Sequence, residues 1–269
     1  MELLSVVIPV YNEERQLEAF ILNLLKAPCP CQREFIFVDD CSTDKSLEIL
    51  DKFQALPNIQ ILEQPENKGK GAAVSRGIAM SRGNFIMIQD ADFEYDPTDV
   101  PQLLQPLLQE KADVVYGSRF KKNASQVHRT YHYFVNGFLT FLSNLFSGIY
   151  LTDMETCYKI FKADLLQAMN LKSKRFGFEV EVTAYLAKTN ARIEELPISY
   201  RPRTRLQGKK INWKDGVAAL FHLLRFNFFT NLKKAYYHLP VYYDPQSPVR
   251  PIVEKIVPTE GKKETPLNQ

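Results

Sequence analysis

Three carboxylates close behind an apolar run are the first chemistry the chain offers. Asp90, Asp92 and Glu94 stand at i, i+2 and i+4 in QDADFEYDP, directly after the hydrophobic Phe85–Ile88. Oxygen donors packed that closely on a turn can meet a hard divalent cation, Mg2+ or Mn2+, and such an ion neutralises a departing diphosphate. Aspartates also cap turns without any metal, but a cap needs one carboxylate and this segment holds three. A second signal is basic. Residues 199–214 contain Arg201, Arg203, Arg205, Lys209, Lys210 and Lys214, with no acid among them. Arginine grips phosphate through paired hydrogen bonds and lysine as a point charge, so the run suits an anionic ligand better than a plain solvated loop. Two other nucleotide chemistries are disfavoured. No G-x-G-x-x-G follows the first apolar run, and Gly69-Lys70-Gly71 lacks the spacing and the Ser/Thr of a P-loop.

These residues need a frame to bring them together. Leu3–Val10 (LLSVVIPV) is a continuous apolar run, the pattern of a parallel strand buried on both faces. Glu34–Val38, Ile59–Leu62, Phe85–Ile88 and Asp113–Tyr116 are further strand candidates. Helical stretches separate them: Glu13–Lys26 with Asn12 as cap, a second from Ser42 or Thr43 to Phe53, and a third ending near Arg82. This alternation predicts an α/β fold, a mostly parallel sheet with helices on both faces. Ligands bind beyond the carboxyl ends of such strands, where Asp39–Asp40 and Asp90–Asp92 fall. Later come a strand over Thr156–Phe161, a helix around Glu179–Lys188, a strand around Arg192–Ile198 and a long aromatic helix over Trp213–Tyr237. The proline-rich residues 244–269 read as a flexible tail.

The 269 residues, 45% hydrophobic and 24% charged, suit one α/β domain with a modest appendage. Residues 1–120 hold 11 Lys/Arg against 19 Asp/Glu, and residues 121–269 hold 23 against 12. An acidic half joined to a basic half suits a site with a cation on one side and anions on the other, although two differently solvated surfaces would look the same. The acidic half also disfavours nucleic acid as a partner. The four cysteines form neither a disulfide framework nor a zinc spacing, and reduced thiols are expected. Residues 130–152 carry no Asp, Glu, Lys or Arg, yet His132, Asn136, Thr140, Ser143, Asn144 and Ser147 recur at helical spacing. That polar stripe predicts an amphipathic helix rather than a membrane span. Met1 and Glu2 lead straight into the first strand, leaving no room for a signal peptide, so a cytoplasmic location is expected.

Taken together, a series of segments resembles glycosyltransferase family 2. They are VVIPVYNEE (Val6–Glu14), FVDDCSTD (Phe37–Asp44), NKGKGAAVSRG (Asn67–Gly77), QDADFEYDP (Gln89–Pro97), VVYGSRF (Val114–Phe120), TDMETCYKIF (Thr152–Phe161), FGFEVEVTA (Phe176–Ala184) and GKKINWKDG (Gly208–Gly216). Within the family the pattern is most similar to the dolichyl-phosphate mannose synthases and their bacterial polyprenyl-phosphate relatives. One departure is Cys41, where the family's DDGS motif carries glycine. The resemblance implies a GT-A nucleotide-sugar-binding fold over residues 1–212, including the amphipathic segment at about 128–152. It implies an amphipathic, membrane-interfacial helical segment over 213–243.

Roles follow from the same resemblance. Pro9, Tyr11 and Glu13 would line the nucleoside pocket, Asp40 with Val38 and Asp39 would face the base, and Lys70 would join the nucleotide-sugar site. Asp90, Ala91 and Asp92 would hold the nucleotide-sugar, and Asp90, Asp92 and Glu94 the metal. Arg119 and Arg129 would meet the acceptor phosphate, while Arg203 and Lys209 close over the diphosphate. Asp153 and Glu155 lie where relatives with hydroxyl acceptors place a base. A phosphate acceptor hardly needs one, so Asp153 is read either as a base or as a group that orients the acceptor or a basic side chain.

The implied activity is inverting transfer of a hexose from a GDP-mannose or UDP-glucose type donor to a polyprenyl phosphate. Catalysis would then be mostly positioning and electrostatic stabilisation. A lipid acceptor calls for peripheral contact with a membrane surface. The 130–152 helix could supply it, as could the aromatic helix with Phe226, Phe228 and Phe229 beside Arg225, Lys233 and Lys234. Two other readings stand beside this one. The chain could be a cytosolic member of the family acting on a soluble glycan or protein. It could also be a non-catalytic nucleotide-sugar-binding or scaffold protein, against which the acidic trio and Arg119 argue.

Overall fold

A computed structural model describes residues 2–122, 130–175, 177–203 and 213–247. In chain order its elements are β1 (Leu3–Val10), α1 (Leu17–Lys26), β2 (Gln32–Asp39), α2 (Ser46–Asp51), β3 (Ile59–Glu63), α3 (Lys70–Met80), β4 (Phe85–Ile88) and α4 (Val100–Leu108). Then follow β5 (Val114–Ser118), α5 (Arg119–Lys122), α6 (Thr130–Ser147), β6 (Lys159–Lys162), α7 (Ala163–Gln167), α8 (Phe178–Leu186), β7 (Ile193–Pro197), α9 (Trp213–Phe228) and α10 (Leu232–Ala235).

The strands make one seven-stranded sheet in the order β3-β2-β1-β4-β6-β5-β7. The unbroken apolar run of β1 puts it between β2 and β4, parallel to both. Alternate residues of β2 go to opposite faces. Phe35 and Phe37 enter the large core, while Ile36 and Val38 join Ala73 of α3 in a smaller cluster with Leu62 against it. Both faces are therefore covered, as a mostly parallel sheet requires. Only β6 runs the other way, antiparallel to β4 on one side and to β5 on the other. The carboxyl ends of β1, β2, β4, β5 and β7 consequently share one edge of the sheet.

Local chemistry corrects several sequence expectations. Asn12 does not cap α1, which begins only at Leu17. It sits at φ 50, a left-handed conformation that Asn tolerates, and clasps the turn after β2. Its Oδ1 accepts from Thr43 N at 2.8 Å and its N donates to Ser42 Oγ at 3.0 Å. Ser42 is not a cap either, because its N and Oγ both donate to Asp39. Cys41 in that turn has φ 60, which explains why a glycine suits the position. Helix α4 is hidden in the sequence by Pro101 and Pro106, yet Leu103, Leu104 and Leu107 bury one stripe completely. The long aromatic helix stops at Phe228, and α10 follows as a separate turn. Residues 248–269 of the expected tail lie outside the described residues.

The amphipathic helix α6 is present, and its orientation is the larger surprise. The polar stripe points inward: Thr140 and Ser143 are buried, and Asn144 holds the main chain of Leu151 from both sides. Phe134, Phe138, Phe141 and Leu145 are more than half exposed. Helix α9, packed against α6 and α8, buries Ala219, Leu223 and Phe226 and also leaves Val217, Leu220, Phe221, Leu224 and Phe228 outward. Among the described residues no helix is long and apolar enough to cross a membrane.

Candidate active site

Side chains from four strand ends meet at the shared edge of the sheet. The segment after β4 carries Asp90, Ala91, Asp92 and Glu94. Asp90 Oδ1 pairs with Lys70 Nζ at 2.8 Å, and Lys70 also meets Glu179 Oε1 at 3.1 Å. Burial works against charge on Asp90, but Lys70, with help from Cys157 and Arg203, holds the carboxyl below its ordinary range. Lys70 reaches this place from the first position of α3, just after Gly69 at φ 90. A Cβ on Gly69 would lie 2.6 Å from Lys174 O, so only glycine lets the loop and α3 approach this closely.

Asp92 belongs to a different group. Its Oδ1 accepts from Glu94 N at 2.9 Å, and its Oδ2 pairs with Arg203 Nη2 at 2.5 Å. Burial, then the nearby charge of Asp90, pushes the Asp92 carboxyl up to about 7 against the pull of Arg203. Arg203 also meets Glu13 Oε2 at 3.2 Å, and its main-chain N donates to Glu94 Oε1 at 2.8 Å. The expected metal trio is thus divided. Asp90 is tied to Lys70, while Asp92 and Glu94, with Glu13, surround a guanidinium. Among the described residues no three His, Cys, Asp or Glu side chains are gathered to hold a metal by themselves. Nor is Arg203 on a solvated loop, since its side chain is only 16% exposed.

Across the edge, Arg119 follows β5 directly. Its Nε and Nη2 donate to the two carboxylate oxygens of Asp153, each at 2.7 Å, and its main-chain N adds a third bond at 3.0 Å. Asp153 is wholly buried and is held in turn by Glu195, which accepts from its main-chain N. The guanidinium also lies 5.1 Å above the Tyr200 ring. Tyr200 and Tyr158 both pack on Tyr95, giving the middle of the site a rigid aromatic floor. Thr140 of α6 accepts from Met154 N, so the polar stripe of that helix steadies the segment bearing Asp153.

The expected nucleoside residues divide into exposed and buried sets. Tyr11 is 36% exposed at the end of β1. Val38 is core, and Asp39 and Asp40 are buried. The Asp40 carboxylate accepts from Gln64 Nε2, Lys68 N and Gly69 N, which shapes the loop leading to Lys70. Arg129 and Lys209 lie outside the described residues. Sequence reasoning missed Glu179 and Tyr200. Glu179 had a signal, one of two acids in the first turn of a mostly apolar helix, whereas Tyr200 gave none.

Comparison with known proteins bears on the family and the fold. The model of glycosyl transferase family 2 matches residues 5–169. An undecaprenyl-phosphate mannosyltransferase of Micrococcus luteus is 30% identical over 205 residues, covering 73% of this chain and 83% of that one. A dolichyl-phosphate beta-glucosyltransferase of Trichomonas vaginalis is 26% identical over 244 residues, covering 85% and 74%. Glucosyl-3-phosphoglycerate synthase from Mycobacterium tuberculosis, crystallised with Mn2+, UDP and phosphoglyceric acid, shares the fold. Its TM-score is 0.61 at 19% identity, over 84% of this chain and 79% of that one. With the family pattern running from β1 through β6 and the acids at the ends of its strands, the chain belongs to glycosyltransferase family 2.

Proposed function

We propose that the chain transfers a hexose, with inversion, from a nucleoside diphosphate sugar of the GDP-mannose or UDP-glucose type to a polyprenyl phosphate at a membrane surface. The observation that carries the acceptor is the set of outward-facing apolar side chains on α6 and α9, with α6 turned polar side in. Phe134, Phe138, Phe141 and Phe221 face outward while Thr140 and Ser143 face the protein, the reverse of a helix meant for water. The same helix α6 braces the loop that fixes Arg119, so a lipid-facing surface and a phosphate-binding side chain are mechanically joined. Lipid-phosphate acceptors in the names of two relatives point the same way.

Asp92 and Glu94 fit a divalent cation, being hard oxygen donors that already draw a positive group between them. Such an ion would supply charge neutralisation for the diphosphate, and the solved neighbour's complex with Mn2+ and UDP supports it. Asp90, fixed by Lys70, is placed to hold the donor. Asp153 fixes the plane of the Arg119 guanidinium, which meets the acceptor phosphate, joined in this reading by Arg129. The acceptor oxygen is already ionised near neutral pH, so orientation replaces base catalysis. Lys209 and Arg203 close on the departing diphosphate.

The test supplies polyprenyl phosphate in vesicles, Mn2+ and a panel of nucleotide sugars, and follows sugar into the lipid phase. Wild type is expected to form lipid-linked hexose, and Asp92→Asn to lose at least about 10²–10³ in rate while remaining folded. Transfer to a soluble glycan with none to lipid would establish the cytosolic alternative instead.

A further inference from the structure

Arg203 is not placed like a side chain waiting for an anion. Its Nη2 meets Asp92, its Nη1 meets Glu13, and its Nε lies 3.7 Å from Glu94 Oε1. The adjoining main chain takes part. Arg201 N donates to Glu94 O, Arg203 N to Glu94 Oε1, and the Tyr200 hydroxyl to Glu94 Oε2. Both carboxylate oxygens of Glu94 are therefore engaged by residues 200–203. Nε is buried without a hydrogen-bond partner, so the fork sits among three acids rather than fitting any one of them.

We infer that Arg203 is a built-in counter-cation, competing with the divalent ion for Asp92 and Glu94, so that metal entry and release of the 200–203 segment are one event. This rests on the metal reading above. The physical reason is charge. Without a cation, Glu13, Asp92 and Glu94 would repel one another in a poorly hydrated site. A guanidinium on the chain is a cation that cannot diffuse away. Once displaced, it is freed beside the diphosphate that arrives with the metal.

Titrating Mn2+ into the nucleotide-free full chain, with free Mn2+ read by electron paramagnetic resonance, tests the competition. Arg203→Gln should bind Mn2+ about tenfold more tightly than wild type, an ordinary size for coupling between two occupants of one site. Tyr200→Phe removes only one contact to Glu94 and should fall between the two. Hydrogen exchange at the Arg203 amide of wild type should quicken when Mn2+ alone is added. A parallel titration with GDP or UDP present separates the competition from the metal site itself. If Mn2+ binds with nucleotide while Arg203→Gln is no tighter than wild type without it, the competition is wrong and the metal site stands. If no form binds Mn2+ even with nucleotide, the metal site is wrong and the competition falls with it. Melting curves check the fold, and Tyr200→Phe carries the test alone should Arg203→Gln not fold.

Discussion

Arg119 and Asp153 are bound through three hydrogen bonds and both are buried, and that isolation sets what a change would do. Asp153→Asn leaves a buried guanidinium without its counter-charge, a loss of about 3 kcal/mol measurable by denaturant unfolding. Turnover should fall as well, with the larger effect on KM for the acceptor phosphate. Glu155 behaves differently. Burial and then Glu179 push its carboxyl up to about 7, with Lys159 pulling the other way, and its Oε1 has no hydrogen-bond partner. The native value lies above the ordinary 4.5, so the folded chain holds this proton more tightly than the unfolded one. Stability from this group is complete below about 4.5 and is lost as pH rises through 7. Glu155→Gln should therefore be more stable than wild type at pH 8, by about 3 kcal/mol, with the difference vanishing below about pH 4. The sequence makes Asp90, Asp92 and Arg119 conspicuous because spacing and neighbours carry the signal. It hides the Lys70–Glu179 bridge, whose partners are 109 positions apart and meet only through the fold.

At the scale of elements, α6 and α9 show where periodicity stops informing. The sequence shows that each helix has two faces but not which one meets the protein, because the usual rule puts apolar residues inside. Here Thr140 and Asn144 have internal partners that reward the reverse choice. Phe226 is the instructive residue. Grouped by sequence with Phe228 and Phe229 as a membrane contact, it is 1% exposed and stands edge-on to Tyr185 of α8. Phe226→Ser should cost about 3–5 kcal/mol, lowering the melting temperature whatever happens at a membrane. Replacing Phe134, Phe138, Phe141 and Phe221 by Ser should leave melting nearly unchanged and abolish the salt-resistant part of pelleting with anionic vesicles. Salt itself should remove the electrostatic part, since exposed charges are screened within about 8 Å at physiological ionic strength. Vesicle binding that the quadruple variant retains in high salt would take the outward face away from the lipid.

Across the whole molecule, the α/β class, the mostly parallel sheet and the placement of acids at strand ends follow from alternation of apolar runs. The reversed strand does not, because β6 reads like any other apolar run and direction leaves no mark on composition. Yet that strand decides how the site is put together. Ile86 of β4 pairs with Phe161 and Val115 of β5 with Ile160, so β4 and β5 are joined in the sheet through β6. During synthesis the chain runs from Asp92 through Arg119 to Phe161 before any ladder can join them. Until then no ladder joins β4 to β5, and forming it is a non-local step. A nascent chain on the ribosome, with β1 to β5 already made, has Asp90, Asp92 and Arg119 but neither Glu179 to hold Lys70 nor Asp153 to fix the guanidinium.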